Sequence, residues 1–427
     1  MIKKLCFTSL LVFYSSITLA LNNISISDIN NTKIYNVKTS SIPSTDIAWL
    51  FPRIYTQNSC TADLFTLLHG KQINNLNEEQ TANTLNDIGS EYSINFENDY
   101  VMLNLRYLNS EKDKSIKWFA NAVYNSQFSD DMFNREKNTL IQNVIQNQKQ
   151  PAFTALKNLY KNIYNTHPYA QTCSLNDAKS ITLKDITNYY QQQFFNIENS
   201  QTKILMVGDI NLTDINLTKQ LLINSVKNNN NYSIPIVKEG NTNKQSIEFS
   251  DISQAHVNMG SLFIKRDNKD IFDILVANYI LGGGGFSSRL MHEIREKNGF
   301  VYGISSTFLP LQQQGLFYID FQTKVEQIDT VNKSVKDTLS KFIAAGVTEQ
   351  EINEAKKFLL QSFSSRLDTN KKWLNQLAII AWYNLPVDYL KNWQANVEKT
   401  NLKSVNACIK KYFDINKLHT SIVTKKP

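Results

Sequence analysis

Arg295 and Tyr302 stand seven residues apart across the Gly299 turn, in a stretch that reads LGGGGFSSRLMHEIREKNGFVYG from Leu281 to Gly303. Arginine keeps its charge at any relevant pH and a tyrosine phenol keeps its proton near neutrality, so both side chains donate hydrogen bonds. Two such donors aimed at one carbonyl oxygen would stabilise negative charge developing on it. The plainer expectation is a salt-bridged arginine and a tyrosine packed at a strand end. Gly282, Gly283, Gly284 and Gly285 end an apolar run, Ile274 to Leu281, that suits a buried helix. Consecutive glycines allow positive φ and the close approach of another segment, as a cleft wall requires. They lack the Lys-Ser/Thr of a phosphate loop, and alone they read as structural. Ser287-Ser288-Arg289-Leu290 is expected to restart a helix carrying Arg289, His292, Glu293, Arg295 and Glu296, which Lys297-Asn298-Gly299 turns into Phe300-Val301-Tyr302.

Other reactive side chains are sparse. The five histidines are His69, His167, His256, His292 and His419. His292 and Glu296, four apart on a helix, could share a face as two metal ligands, but a third ligand is not evident. His69 beside Gly70 reads as a helix-end residue favourable to the dipole, His167 before Pro168 as a loop anchor, and His256 as part of a strand. No Ser-His-Asp order or Cys-His pair has the context of a nucleophile. The acid pairs Glu78-Glu79 and Asp130-Asp131 read as helix starts.

The Gly-Gly-Phe-Ser-Ser-Arg-Leu…Arg-Glu-Lys-x-Gly-x-x-Tyr pattern closely resembles the C-terminal domain of the pitrilysin/insulinase family of zinc peptidases. His167-Pro168-Tyr169, Leu205-Met206-Val207-Gly208-Asp209, Gln254-Ala255-His256-Val257 and the stretch Tyr35 to Phe51 extend the resemblance over nearly all of the chain beyond its first residues. The resemblance implies an α+β fold of two homologous domains, each a mainly antiparallel sheet packed with helices, closing as a clamshell. It also implies that Arg295 and Tyr302 hold a peptide substrate beside a zinc ion.

Catalytic members of that family bind zinc through His-x-x-Glu-His on a helix and through a later Glu. The corresponding helix here runs from Thr61 to Gly70. Aligned on Gly70 the motif positions are Thr61, Leu64 and Phe65; aligned on Ala62 they are Asp63, Thr66 and Leu67. The later Glu-Glu pair falls on Gln142 and Asn143, neutral amides that bind zinc poorly. Neither register leaves a histidine or a glutamate, so no metal and no cofactor is expected on this chain.

The wider chain agrees with a two-domain reading. Its 427 residues exceed what one core usually supports, and one order of elements occurs twice. Gly89-Ser-Glu-Tyr-Ser-Ile94 corresponds to Gly299-Phe-Val-Tyr-Gly-Ile304 at an offset of 210. Phe133 to Lys137 and Leu140 to Gln142 correspond to Ile352 to Lys356 and Leu359 to Gln361 at 219, as do Leu183, Ile186 and Phe194 to Leu402, Val405 and Phe413. The N-terminal unit is expected over 21–226, an exposed linker over 227–244 and the C-terminal unit over 245–427. Met1 to Ala20, with Lys3, Lys4 and an apolar core, reads as a secretory signal peptide, which places the protein in the periplasm or outside the cell. No segment is apolar for long enough to span a membrane. The formal charge of +7, or +5 without Lys3 and Lys4, is too mild and scattered for nucleic acid. Beyond the signal, Cys60, Cys173 and Cys408 permit at most one disulfide. Free buried thiols are expected, with a Cys60–Cys173 bridge as the alternative.

These readings converge on a substrate-clamping half without its zinc half. The expected function is a non-catalytic partner subunit that offers Arg295 and Tyr302 to a peptide, while a metal-binding peptidase subunit of the same family holds the zinc. The alternative is a structural or peptide-binding subunit with no role in proteolysis.

Overall fold

A computed structural model describes residues 23–29, 31–39, 42–222, 231–238 and 245–426. The expected signal segment lies outside them, as do parts of the expected linker. The first sheet contains β1 (Ile24–Ile29), β2 (Thr32–Lys38), β3 (Ser44–Pro52), β4 (Glu91–Phe96), β5 (Tyr100–Leu108) and β6 (Lys203–Gly208), in the order β1-β2-β6-β3-β5-β4. The second contains β7 (Gln245–Phe249), β8 (Gln254–Leu262), β9 (Val301–Leu309), β10 (Leu316–Lys324) and β11 (His419–Thr424), in the order β7-β11-β8-β10-β9. Among the described strands only β2–β6 and β7–β11 pair in parallel. Setting β1 aside, the two orders superimpose strand for strand, and β3 and β8 are offset by the same 210 residues as the matched sequence blocks. The α+β, two-unit architecture is therefore the one the repeat implies.

The central strands explain why the halves stay together. Every residue of β3 and β6 is buried, without the alternation of a one-sided sheet. Ile47, Trp49, Phe51, Ile204 and Met206 pack on helices of their own half, including Thr61–Leu68 and Leu183–Phe195. Ala48, Leu50, Leu205 and Val207 face the other way, into a core shared with the second half. The helix Asn370–Trp382 covers that second face, against β3 and β6. In return, the helix Pro151–Tyr164 crosses from the first half onto β8 and β11, burying Leu159 and Ile163 against Leu316. These two helices start 219 residues apart, so the repeat is also an exchange: each half covers a sheet face of the other. Burial of apolar side chains on both faces couples the two halves.

The described part of the joint, 231–238, is not a free tether. Ile234 and Val237 are buried against the Pro151–Tyr164 helix. His167 Nε2 donates to the Pro235 carbonyl at 2.8 Å, while its Nδ1 accepts from Tyr169 N at 3.1 Å. The loop-anchoring expectation for His167 thus gains a partner across the chain. β1 and the helices Leu175–Ser180 and Leu212–Leu222 lie outside the motifs and repeat blocks read in the sequence.

Two expectations are corrected. Cys60 and Cys173 form a disulfide, Cα atoms 4.3 Å apart across 113 residues, and Cys408 alone of the described cysteines is a free, buried thiol. Hydrogen bonds bring the two segments together: Ser59 Oγ donates to Asp177 Oδ2 at 2.5 Å, and Ser174 N donates to Ser59 Oγ at 3.2 Å. His69 does cap its helix, yet it is buried, and desolvation pushes its pKa down to about 3. It is neutral and bonds Tyr92 through Nδ1 at 2.6 Å, so it is no cation for the helix dipole. Among the described residues no helix is long and apolar enough to cross a membrane.

Candidate functional site

The four glycines serve different local needs. The helix Ile271–Asn278 passes into a π-helical turn, Tyr279–Gly283, and a second π-helical turn, Met291–Glu296, carries Arg295. Insertions of this kind re-aim side chains and cluster at functional sites. At Gly282 a Cβ would lie 2.6 Å from both Ser306 N and Ser306 Oγ, so only glycine lets the turn lie against β9. Gly285 has φ +58° and open space around it, and it pushes Phe286 out into solvent.

Tyr302 is turned out by β9 itself. Val301 pairs with Thr323 and Ile304 with Phe321, so Tyr302 and Gly303 together stand opposite a single residue, Gln322, as a β-bulge. The Tyr302 side chain is 79% exposed, whereas its repeat counterpart Tyr92 sends its hydroxyl inward to His69. The Arg295 guanidinium carbon sits 4.7 Å from the centroid of the Phe286 ring. Among the described residues no carboxylate pairs with Arg295. Neighbouring Arg289 is locked to Glu351 by bonds of 2.6 and 2.8 Å, and Glu293 is taken by Lys297 and His292. The plainer expectation of a salt-bridged arginine thus describes Arg289 rather than Arg295.

Arg295, Tyr302, Gly285 and Phe286 line one cleft of about 690 Å³, with β8 and β10 as its floor and Ala152 and Leu156 of the crossing helix as its far wall. Gly282, Gly283 and Gly284 are not among its lining residues; they shape the turn behind it. Three polar groups that the sequence did not single out for this site lie on the floor. His256, which pairs with Gln322, is half-buried, and desolvation lowers its pKa. Ser305 Oγ donates to Asp320 Oδ1 at 2.6 Å, fixing a carboxylate in the cleft. His256 lies on β8 within a segment that carries the resemblance, while Ser305 on β9 and Asp320 on β10 have no motif and are brought together only by strand pairing.

The helix that the resemblance assigns to zinc binding lines a second groove, of about 390 Å³, to which the crossing helix gives Phe153 and Lys157. Asp63, Thr66, Leu67 and Asn143 line this groove, while Thr61, Leu64 and Phe65 are buried in the core. The structure thereby selects the Ala62 register of the two open in the sequence. One carboxylate, one hydroxyl, one amide and a leucine do not fit zinc, which takes at least three Cys, His or carboxylate ligands. Asp63 is exposed along one side, yet desolvation by the groove walls raises its pKa, and the Arg53 guanidinium opposes that shift. Among the described residues no three His, Cys, Asp or Glu side chains gather as a metal site; His292 lies 3.5 Å from Glu293.

Paired sheets of one strand order, exchanged helices and an Arg/Tyr cleft beside a groove without a zinc-binding set define a degenerate peptidase-like clamshell. Residues 57–175 match the family model described as insulinase (peptidase family M16), and residues 180–359 match that of the peptidase M16 inactive domain. The chain belongs to the M16 family, also known as the pitrilysin/insulinase family. It is 25% identical over 333 residues to the "Non-peptidase homolog YmxG" of Helicobacter pylori, an alignment covering 76% of this chain and 75% of that protein. A solved structure of a peptidase M16 inactive domain from Pseudomonas fluorescens superimposes with a TM-score of 0.88 at 25% identity, over 95% of this chain and 98% of that one. The periplasmic protease PqqL from Escherichia coli shares the fold, with a TM-score of 0.81 at 15% identity; this chain spans 46% of its length.

Proposed function

We propose that this chain is a secreted, non-catalytic partner of a zinc peptidase, holding the peptide with Arg295 and Tyr302 while a metal-binding subunit of the same family carries the ion. The observation that carries this reading is the contrast between the two Arg/Tyr neighbourhoods. Tyr302 is exposed on a bulge and Arg295 lacks a carboxylate partner, whereas the equivalent Tyr92 is tied down and Leu85 stands where its arginine would be.

In the proposed complex the guanidinium and the phenol donate to the carbonyl of the scissile peptide, opposing the charge that develops on its oxygen. Zinc on the partner would supply the activated water; this chain would bind, orient and help exclude solvent. The donor set of the Asp63 groove supports the non-peptidase half of the reading, and the name of the H. pylori relative points the same way. The disulfide supports an oxidising compartment.

Co-purification of the tagged chain from native extract, followed by zinc analysis and peptidase assay of the chain alone and of the complex, tests the proposal. The expected result is zinc and chelator-sensitive activity in the complex only. Stoichiometric zinc in the isolated chain would refute it. A stable complex without any peptidase would favour a purely structural or peptide-binding subunit.

A further inference from the structure

We propose that Phe286 is a positioning residue for Arg295, an aromatic shelf that holds the guanidinium toward the cleft while leaving its donors unspent; this rests on the proposed role of Arg295 in gripping a peptide. The motif holds two arginines, and they differ in what occupies their donors. Arg289 spends its donors on Glu351, and its guanidinium faces neither Tyr302 nor the cleft floor. Arg289 also lies over a ring, 5.5 Å from the centroid of Phe342, but Arg295 has its ring, 4.7 Å away at Phe286, without a carboxylate among the described residues.

The chemistry of the two supports differs in what it leaves free. A carboxylate partner would neutralise the guanidinium and occupy two of its five N–H groups. An aromatic face attracts the cation through the ring quadrupole and takes no N–H, so the planar edge stays open to a carbonyl or carboxylate oxygen. A ring also limits the rotamer freedom that a long, partly exposed side chain otherwise loses on binding.

Phe286 also borders the groove beside Arg289 and Glu351, but it takes no part in a hydrophobic core. The side chain is 66% exposed and belongs to no core cluster, an unfavourable position for a phenylalanine. The loop is nonetheless braced to keep it there. Gly285 adopts φ +58°, Ser287 Oγ donates to Gly284 O at 2.9 Å, and Ser288 Oγ donates to Gly285 O at 2.7 Å. Arg295, Tyr302 and Phe286 all line the same cleft.

The test compares Phe286→Leu, Phe286→Trp and Arg295→Ala in two measurements. The first is the Nε–Hε resonance of Arg295 in the isolated chain, which a stacked ring displaces. The second is turnover of a fluorogenic peptide by the co-purified complex at limiting substrate. Phe286→Leu is expected to remove the ring-current displacement and to lower kcat/KM about 2- to 30-fold, the range of a cation–π contact. Phe286→Trp should recover both, which a merely structural role for the loop would not give. If Arg295→Ala impairs turnover but Phe286→Leu does not, the shelf is refuted and the Arg295 reading stands. If neither does, both fall. An Arg295 resonance unmoved by Phe286→Leu refutes the shelf by itself.

Discussion

Tyr383 donates its hydroxyl to Asp99 Oδ2 at 2.7 Å, tying the end of the second half's crossing helix to the β4–β5 turn of the first. Tyr169 donates its hydroxyl to Oδ1 of the same carboxylate, and Gln312 N donates to Oδ2 at 2.8 Å. A single buried acid thus gathers three donors from three segments, two of them in the other half. Burial raises the Asp99 pKa, and the hydroxyls and the amide work against that shift. Asp99→Asn should destabilise the protein by about 1–3 kcal/mol, since an amide brings its own N–H groups against at least one of these donors. Chemical denaturation measures this; a loss below about 0.5 kcal/mol would mean the clasp contributes nothing.

The Cys60–Cys173 bridge closes a long loop and pins the start of the Thr61–Leu68 helix beside the Asp63 groove. Cys60→Ala with Cys173→Ala should cost about 2–5 kcal/mol. Thermal unfolding of the wild-type protein with and without reductant should show a matching drop in Tm, and the double variant should no longer respond to reductant.

Gly282 and Gly303 form a discriminating pair. A methyl at Gly282 would meet Ser306 backbone and side chain, whereas a Cβ at Gly303 meets nothing within 4 Å. Gly282→Ala is expected to cost about 1–3 kcal/mol by forcing the π-turn off β9. Gly303→Ala should change stability by less than about 0.5 kcal/mol. Urea midpoints of the two variants check the contrast.

Acid should weaken the fold through its histidines. His69, His167 and His256 all have pKa values depressed by burial, His69 to about 3. The unfolded chain therefore binds protons first as pH falls. Stability from these groups is present above the ordinary histidine pKa of about 6.5 and is lost as pH falls toward the depressed values. Denaturation midpoints measured from pH 7.5 to 4 should decline, and His69→Phe should flatten that slope while lowering the midpoint at neutral pH, because Tyr92 loses its partner.

The fold was largely legible because repeated elements leave repeated sequence. The block at an offset of 210 marks β4 with β9, and those at 219 mark the helices Asp130–Gln148 with Glu349–Gln361 and Leu183–Phe195 with Leu402–Tyr412; β3 with β8 and the two crossing helices keep the same offsets without a matched block. What the offsets do not reveal is that the crossing helices trade places, since a helix's amphipathic face does not say whose sheet it covers. The Arg295/Tyr302 pair was legible as a motif, but the features that aim it were not. The bulge at Tyr302–Gly303 depends on the register of β10, and the π-turns depend on the packing of Gly282 against Ser306. Cys60 and Cys173 meet through Ser59 and Asp177, long-range contacts that spacing cannot supply. Phe286 sits within the matched motif, yet nothing in its sequence context distinguishes a shelf from a core phenylalanine.

The proposed division of labour is tested most directly by the turnover of the co-purified complex when this chain carries Arg295→Ala or Tyr302→Phe. Each change removes one donor to the carbonyl and lies away from the shared core, so assembly and zinc content should be preserved while kcat falls about 100- to 1,000-fold. Undiminished turnover in both variants, with the complex intact, would contradict the account.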